Sequence, residues 1–400
     1  MNRFRCGVAG VDLHELRRDF AHPRQRFGVP PAQKLRILAR HELRVTESRD
    51  GAAAGLLRRG WRRRLQSRFH GVSVAPFPRG EKMFRAMCLA VAVTIAAAPA
   101  SAQEVRLKAA SFLPLTQSFG VHFKRWVDET NRRGAGLLQI DAVGPEAMPG
   151  PEQPNAVKSG VIQLHYGPPT FYTGIMWEGE ALSLSEKTIK DLRANGAWAY
   201  LDKLHQEKMN SVLLAGLGDG VKFYVYTTVP ANTADAARPM TGLTLRSSPL
   251  YRAFFEEIGA RNVSLPPGDV FTALERKVVQ GYGWPLWGIK DLGWLPVTKF
   301  RYGPGFLNVN VNVLVNLDAY RKLSPPQKKL LDDMALWLDE EWPKWRAAED
   351  AIELKNQADA GVKYVDLGPS FSRRAHEAYW SDLEKRSPQH IPQLRKMVSQ

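Results

Sequence analysis

Arg246 closes a short alternating run, Leu243-Thr244-Leu245-Arg246, and Ser247-Ser248-Pro249 follow at once. The alternation predicts a half-buried strand. Ser248 reads as an N-cap and Pro249 as a first helical residue, with a helix over Tyr251 to Ile258. A guanidinium fork beside the free amides of a helix start suits an anion, although a solvated arginine at a strand-to-helix turn has the same sequence. Other chemistry is sparse. The chain contains no Gly-x-Ser-x-Gly elbow, Walker loop, His-Glu-x-x-His or dinucleotide fingerprint. Gly216-Leu217-Gly218-Asp219-Gly220 joins two expected strands and reads as a turn. His122, His165 and His205 lack an acid or histidine at metal-ligand spacing, and His122 falls on an apolar helical stripe. Asp332-Asp333 and Glu340-Glu341 belong to a long solvated helix. No catalytic set, cofactor or metal site is expected.

The 400 residues suffice for two domains. The net charge of +16 is concentrated at the front: residues 1–102 carry 20 Lys/Arg against 7 Asp/Glu, leaving 36 against 33 in the rest. The body is nearly neutral, so no nucleic-acid partner is expected for it. Lys82 to Arg85 form a short basic region, Met87 to Ala98 an apolar run, and Ala100-Ser101-Ala102 a small-residue cleavage pattern. This is the layout of a secretory signal peptide, too short for a membrane span. Residues 83–102 are assigned to it and residues 1–82 to an upstream extension that is not native or is mis-annotated, with translation from Met83. An arginine-rich arm binding RNA or anionic lipid is the competing account of 1–82. Cys6 and Cys88 both precede Gln103, so the exported chain has no disulfide and no thiolate.

From Gln103 onward, strand and helix alternate, which predicts a parallel α/β sheet. Expected elements include strands over Val105 to Ala109, Val161 to Tyr166, Val212 to Leu217 and Lys222 to Thr227. One long helix is expected over Thr188 to Met209, and another from Ser324 to Ala360 with Pro343 inside it. Gly167 to Gly174 forms a rigid aromatic loop where an α/β sheet places ligands, making Phe171 and Tyr172 candidate pocket walls. Phe306 to Asn316 alternates Leu/Val with Asn308, Asn310 and Asn312, an extended run long enough to pass from one lobe to another.

The order of motifs resembles the solute-binding proteins of TRAP transporters, the tripartite ATP-independent periplasmic carriers of organic acids. Thr241 to Arg246 is similar to the family's Gly-Leu-Lys-Ile-Arg segment. Thr272 to Gly281 is similar to its Ala-Leu-Gln-x-Gly-x-Val-Asp-Gly segment, and Asn316 with Leu323-Ser324-Pro325 to its later Asn and Leu-Ser-Pro pattern. The resemblance implies two α/β lobes joined by hinge strands and braced by a long helix. Residues 103–228 with 315–354 form lobe I and 229–314 with 355–400 lobe II, hinged near Thr227 to Val229 and Val313 to Val315. It implies a periplasmic receptor that closes over a small carboxylate and docks on a membrane permease, with Arg246 pairing the carboxylate and Lys222 falling near where many members have a second cation. The chain departs from the family at Val279-Gln280-Gly281-Tyr282-Gly283-Trp284-Pro285, where Trp284 stands in place of a ligand-binding asparagine. A monocarboxylate with an apolar or aromatic body is therefore expected. The ligand-binding set is Arg246, Trp284, Lys222, Tyr172, Phe171 and Tyr282. A secreted enzyme using Glu178, Glu180 or His165 as base, and a binding protein of an ABC or sensory system, are the alternatives.

Overall fold

The computed structural model describes residues 104–399; the signal peptide, the upstream extension and both cysteines lie outside them. The chain opens with β1 (Val105–Ser111), α1 (Ser118–Arg133), β2 (Leu138–Val143), α2 (Gln153–Ser159) and β3 (Leu164–Gly167), with β1 parallel to both β2 and β3. The amphipathic face of α1 buries Phe119, Phe123, Trp126 and Val127 against this sheet, and each large side chain fully buried contributes roughly 1.5–3 kcal/mol. Trp126 also donates its indole N–H to the carbonyl of Met334 at 3.0 Å, so its polar atom is satisfied.

The segment expected as one helix from Thr188 is two, α3 (Ile189–Ala194) and α4 (Ala197–Met209). Gly196 adopts a left-handed φ of 83° between them, which breaks the helical path. A capping box of Thr188 and Asp191 starts the first. Then come β4 (Ser211–Leu217), β5 (Phe223–Thr227), β6 (Thr244–Ser247), α5 (Arg252–Glu257), β7 (Arg261–Ser264), α6 (Pro267–Glu275), β8 (Gly281–Pro285), β9 (Phe300–Gly303) and β10 (Val311–Asn316). After α7 (Leu317–Lys322), the long α8 (Pro325–Asp359) contains Pro343, and β11 (Lys363–Asp366), α9 (Pro369–Arg386) and α10 (Ile391–Val398) complete the chain.

Two sheets result, ordered β2-β1-β3-β10-β4 and β11-β9-β5-β8-β6-β7, and each is the centre of one α/β lobe. The chain passes between them at residues 218–222 and 304–310, not at the expected 228/229 and 314/315, and a third time along 317–362 by way of α8. β5 already belongs to the second sheet, and β10, with Val313 to Val315, lies wholly within the first. At the crossing the two segments hydrogen-bond to each other: the amide of Val309 donates to Val221 O at 2.8 Å and that of Phe223 to Leu307 O at 2.8 Å, flanking a bridge between Lys222 and Asn308.

The asparagine row on this extended run points inward. Asn310 Nδ2 donates to Gly179 O at 3.0 Å, Asn312 Nδ2 to the Tyr172 hydroxyl at 3.1 Å and Asn316 Nδ2 to Val157 O at 2.8 Å, while Asn308 Nδ2 bonds Ser185 O. The buried 3-10 helix Glu178–Leu184 is tied to the crossing strand by Asn310 and by the Asn308 amide, which donates to Ser183 O at 2.9 Å. The long helix buries Leu331, Met334, Leu338, Trp342 and Trp345 in the first lobe's core. Further along, its Gln357 donates to Leu286 O at 2.8 Å and accepts from Arg301 Nη1 at 2.7 Å, so it braces both sheets.

Candidate functional site

Arg246 sits at the carboxyl end of β6, in register with Val263 of β7 and Tyr282 of β8 in a parallel trio. Only 6% of it is exposed. Its Nε donates to Leu265 O at 3.0 Å, and Nη1 donates to the Tyr251 hydroxyl at 2.7 Å. Tyr251 in turn donates to Gly283 O at 2.8 Å. The expected helix over Tyr251 to Ile258 begins instead as a 3-10 turn, Pro249–Tyr251, and Ser248 makes no side-chain cap; this turn delivers Tyr251 beneath the guanidinium. The guanidinium carbon lies 5.4 Å from the ring centre of Trp284. Among the described residues, no carboxylate forms an ion pair with Arg246. A buried cation without a counterion is costly, and its natural complement is an anion from outside.

Trp284 is half-buried and meets Trp294 edge-on at 4.9 Å, and it pairs across strands with Tyr224. Its indole N–H is buried without an acceptor. At the carboxyl ends of β6 and β7, a groove of about 310 Å³ is lined by Ser247, Ser248, Ser264 and Arg252, and by Trp177 and Arg386. Trp177 belongs to the connection that follows β3, and neither Arg246 nor Trp284 lines this groove.

The other candidates are held in contacts of their own. Phe171 is half-buried and packs edge-on to Phe112, 6.1 Å away, beyond the carboxyl ends of β3 and β1. Tyr172 is fully buried, with its hydroxyl accepting from Asn312 and lying 3.1 Å from His205 Nε2. Tyr282 is a core residue rather than a pocket wall: it is fully buried, stacked on Tyr226 at 5.2 Å, with its hydroxyl 2.6 Å from Thr298 Oγ1. Lys222 lies at the inter-lobe crossing, where burial lowers its pKa, Glu186 raises it and Arg346 lowers it. Tyr251, Gly283 and Trp177 were absent from the sequence-based set, and nothing in their local sequence marks them.

The carboxylates and histidine considered as bases lie in unrelated networks. Burial raises the pKa of Glu178, but hydrogen bonds from Lys208 at 2.6 Å and Ser387 at 2.5 Å outweigh it and hold the group below its usual value. Glu180 is pushed up to about 7 by burial and accepts from Ser183. His165 is fully buried beside Gln153, 3.1 Å away, and burial lowers its pKa to about 3. A cavity of about 560 Å³ beside β4 is lined by Arg193, Asp202, Tyr320 and Asp332. Arg193 donates to Asp339 at 2.6 Å, and Asp202 accepts from the Leu213 amide at 2.7 Å. Among the described residues no group of three or more His, Cys, Asp or Glu is placed to hold a metal. No described helix is long and apolar enough to cross a membrane.

The family model for bacterial extracellular solute-binding proteins, family 7, matches residues 117–386, more than half of the chain. The chain belongs to that family. This solute-binding protein is therefore an extracytoplasmic receptor. It is similar in fold to a TRAP periplasmic solute-binding protein from Desulfovibrio salexigens with bound orotic acid. That match has a TM-score of 0.65 at 17% identity and covers 74% of this chain and 97% of the other. A TRAP solute-binding protein from Bordetella bronchiseptica RB50 with copurified calcium and picolinate matches at TM-score 0.62 and 20% identity, covering 74% and 92%. A marine metagenome TRAP protein specific for aromatic acid ligands, in complex with metahydroxyphenylacetate, matches at TM-score 0.63 and 20% identity, covering 74% and 97%.

Proposed function

We propose that this solute-binding protein captures an organic acid by its carboxylate, without turning it over, and delivers it to a TRAP-type permease from the periplasm of a Gram-negative cell. The supporting observation is Arg246: a buried guanidinium, held by a backbone carbonyl and a tyrosine hydroxyl and, among the described residues, paired with no carboxylate. A ligand carboxylate supplies the missing charge through hydrogen bonds worth about 1.5–3 kcal/mol each when shielded from water. The crossing at Val221 to Phe223 and Leu307 to Val309 serves as the hinge, and contacts from both lobes favour the closed form once ligand is present. Trp284 favours a flat, apolar or aromatic monocarboxylate over a C4-dicarboxylate. The picolinate and aromatic-acid ligands of similarly folded proteins agree with that class. Titration calorimetry with benzoate, phenylacetate, picolinate and succinate tests the reading. Binding of the ring acids is expected, and heat from succinate alone would overturn the ligand class.

A further inference from the structure

We infer that Tyr251 is the positioning residue of the acid anchor: its hydroxyl, accepting from Nη1, fixes the plane in which the free N–H groups of the Arg246 guanidinium meet the ligand. This role rests on the reading of Arg246 as the carboxylate anchor. The Tyr251 hydroxyl has one proton, and that proton goes to Gly283 O at 2.8 Å. Toward Arg246 the oxygen is therefore an acceptor only, and it takes an N–H from Nη1 at 2.7 Å. The Nε proton is taken by Leu265 O at 3.0 Å. Both hydrogens of Nη2 and the second hydrogen of Nη1 are left for the ligand. The side of the guanidinium spanning Nε and Nη2 is thus closed to a bidentate carboxylate, and Nη2 with the remaining Nη1 hydrogen is what meets the ligand.

The surroundings fit this role. Tyr251 is 2% exposed, and its ring is packed by Phe255 at 4.9 Å, Phe223 at 5.7 Å and Phe306 at 5.9 Å, so it cannot swing away. Gly283 makes the approach to β8 possible: a Cβ there would lie 2.7 Å from Tyr251 Cε2 and 2.8 Å from Phe255 Cζ. The residue before Trp284 is small because the tyrosine occupies the space a side chain would need.

The test compares the wild-type protein with Tyr251→Phe, which keeps the ring and its packing, and Gly283→Ala, which keeps the hydroxyl but displaces the ring. In arginine side-chain ¹⁵N spectra, with the Arg246 signals assigned by Arg246→Lys, the wild-type guanidinium should show hindered rotation and distinct Nη signals. In both variants the Nη signals should average. Benzoate should bind about tenfold more weakly to Tyr251→Phe, the effect of one lost hydrogen bond on a charged group. Unchanged spectra in both variants, or averaged signals with benzoate affinity within twofold of wild type, would overturn the positioning role while leaving Arg246 as anchor. If benzoate, phenylacetate and succinate all fail to bind the wild-type protein, the anchor reading itself falls and takes the positioning role with it.

Discussion

The indole N–H of Trp287 donates to Asp350 Oδ1 at 2.6 Å, tying the connection after β8 to the long helix α8. The same ring stacks on Phe119 of α1 at 4.9 Å and lies 5.3 Å from His122. The next residue, Gly288, donates its amide to Glu353 Oε1 at 3.2 Å. One fully buried tryptophan, which leaves the second sheet, is thus held by both lobes' supports. Trp287→Ala is expected to lower the unfolding free energy by about 3–5 kcal/mol. Asp350→Asn, which keeps an acceptor, should cost under about 1 kcal/mol. Urea denaturation measures both, and equal losses would show that the ring's packing is not the larger contribution.

Arg246→Ala should weaken acid binding about a hundredfold or more by calorimetry, since it removes at least two charge-assisted hydrogen bonds. Ligand at a hundred times Kd adds about 2.7 kcal/mol of stability to the wild type, and the variant should lose that gain. Arg246→Lys should recover little, because an ammonium lacks the planar fork. Full recovery by lysine would count against a bidentate contact.

Lys222 lies at the crossing, paired with Asn308, and Glu186 and Arg346 are the charges that shift its pKa besides burial. Lys222→Met should therefore leave acid affinity within about twofold of wild type, the change expected of a group outside the ligand's contacts. A tenfold loss would restore it as a second cation of the site.

Glu180 carries a pH signature. Burial raises its pKa from an ordinary 4.5 to about 7, so the folded protein holds this proton more tightly than the unfolded chain does. The stability it supports is full below 4.5 and declines as pH rises toward 7, by on the order of 3 kcal/mol. His122, which burial and then Arg125 lower to about 4, acts in the opposite direction, costing stability as pH falls below its ordinary 6.5. The difference in unfolding free energy between wild type and Glu180→Gln, followed from pH 4.5 to 7.5 by urea denaturation, should show the wild type losing ground as pH rises. A flat difference would show that Glu180 does not titrate in that window.

Much of this receptor was legible from residue order. The alternation through Leu245 located β6 and the end position of Arg246. Pro325 and the apolar spacing that follows located α8, and the valines and asparagines after Phe306 announced a run shared by two lobes. These are local signals, set by side-chain period and by what proline and glycine allow. Trp284 entered the candidate set through the family resemblance, and the structure puts the Arg246 guanidinium carbon 5.4 Å from its ring centre.

The sequence by itself determined the two-lobed α/β class, the near-neutral body and the residue type that suits an acid. Tertiary structure decided the rest. Tyr282 and Trp284 are two positions apart, yet one disappears under Trp294 and Tyr226 and the other stays half-exposed. Lys222 and Tyr224 leave the same strand region toward different neighbours. Tyr251 has no sequence signature at all, because its role comes from a hydroxyl meeting an arginine from one element and a carbonyl from another. Hydrogen-bond direction and burial depend on how sheets and helices pack across the chain, and residue spacing within one element carries no record of them.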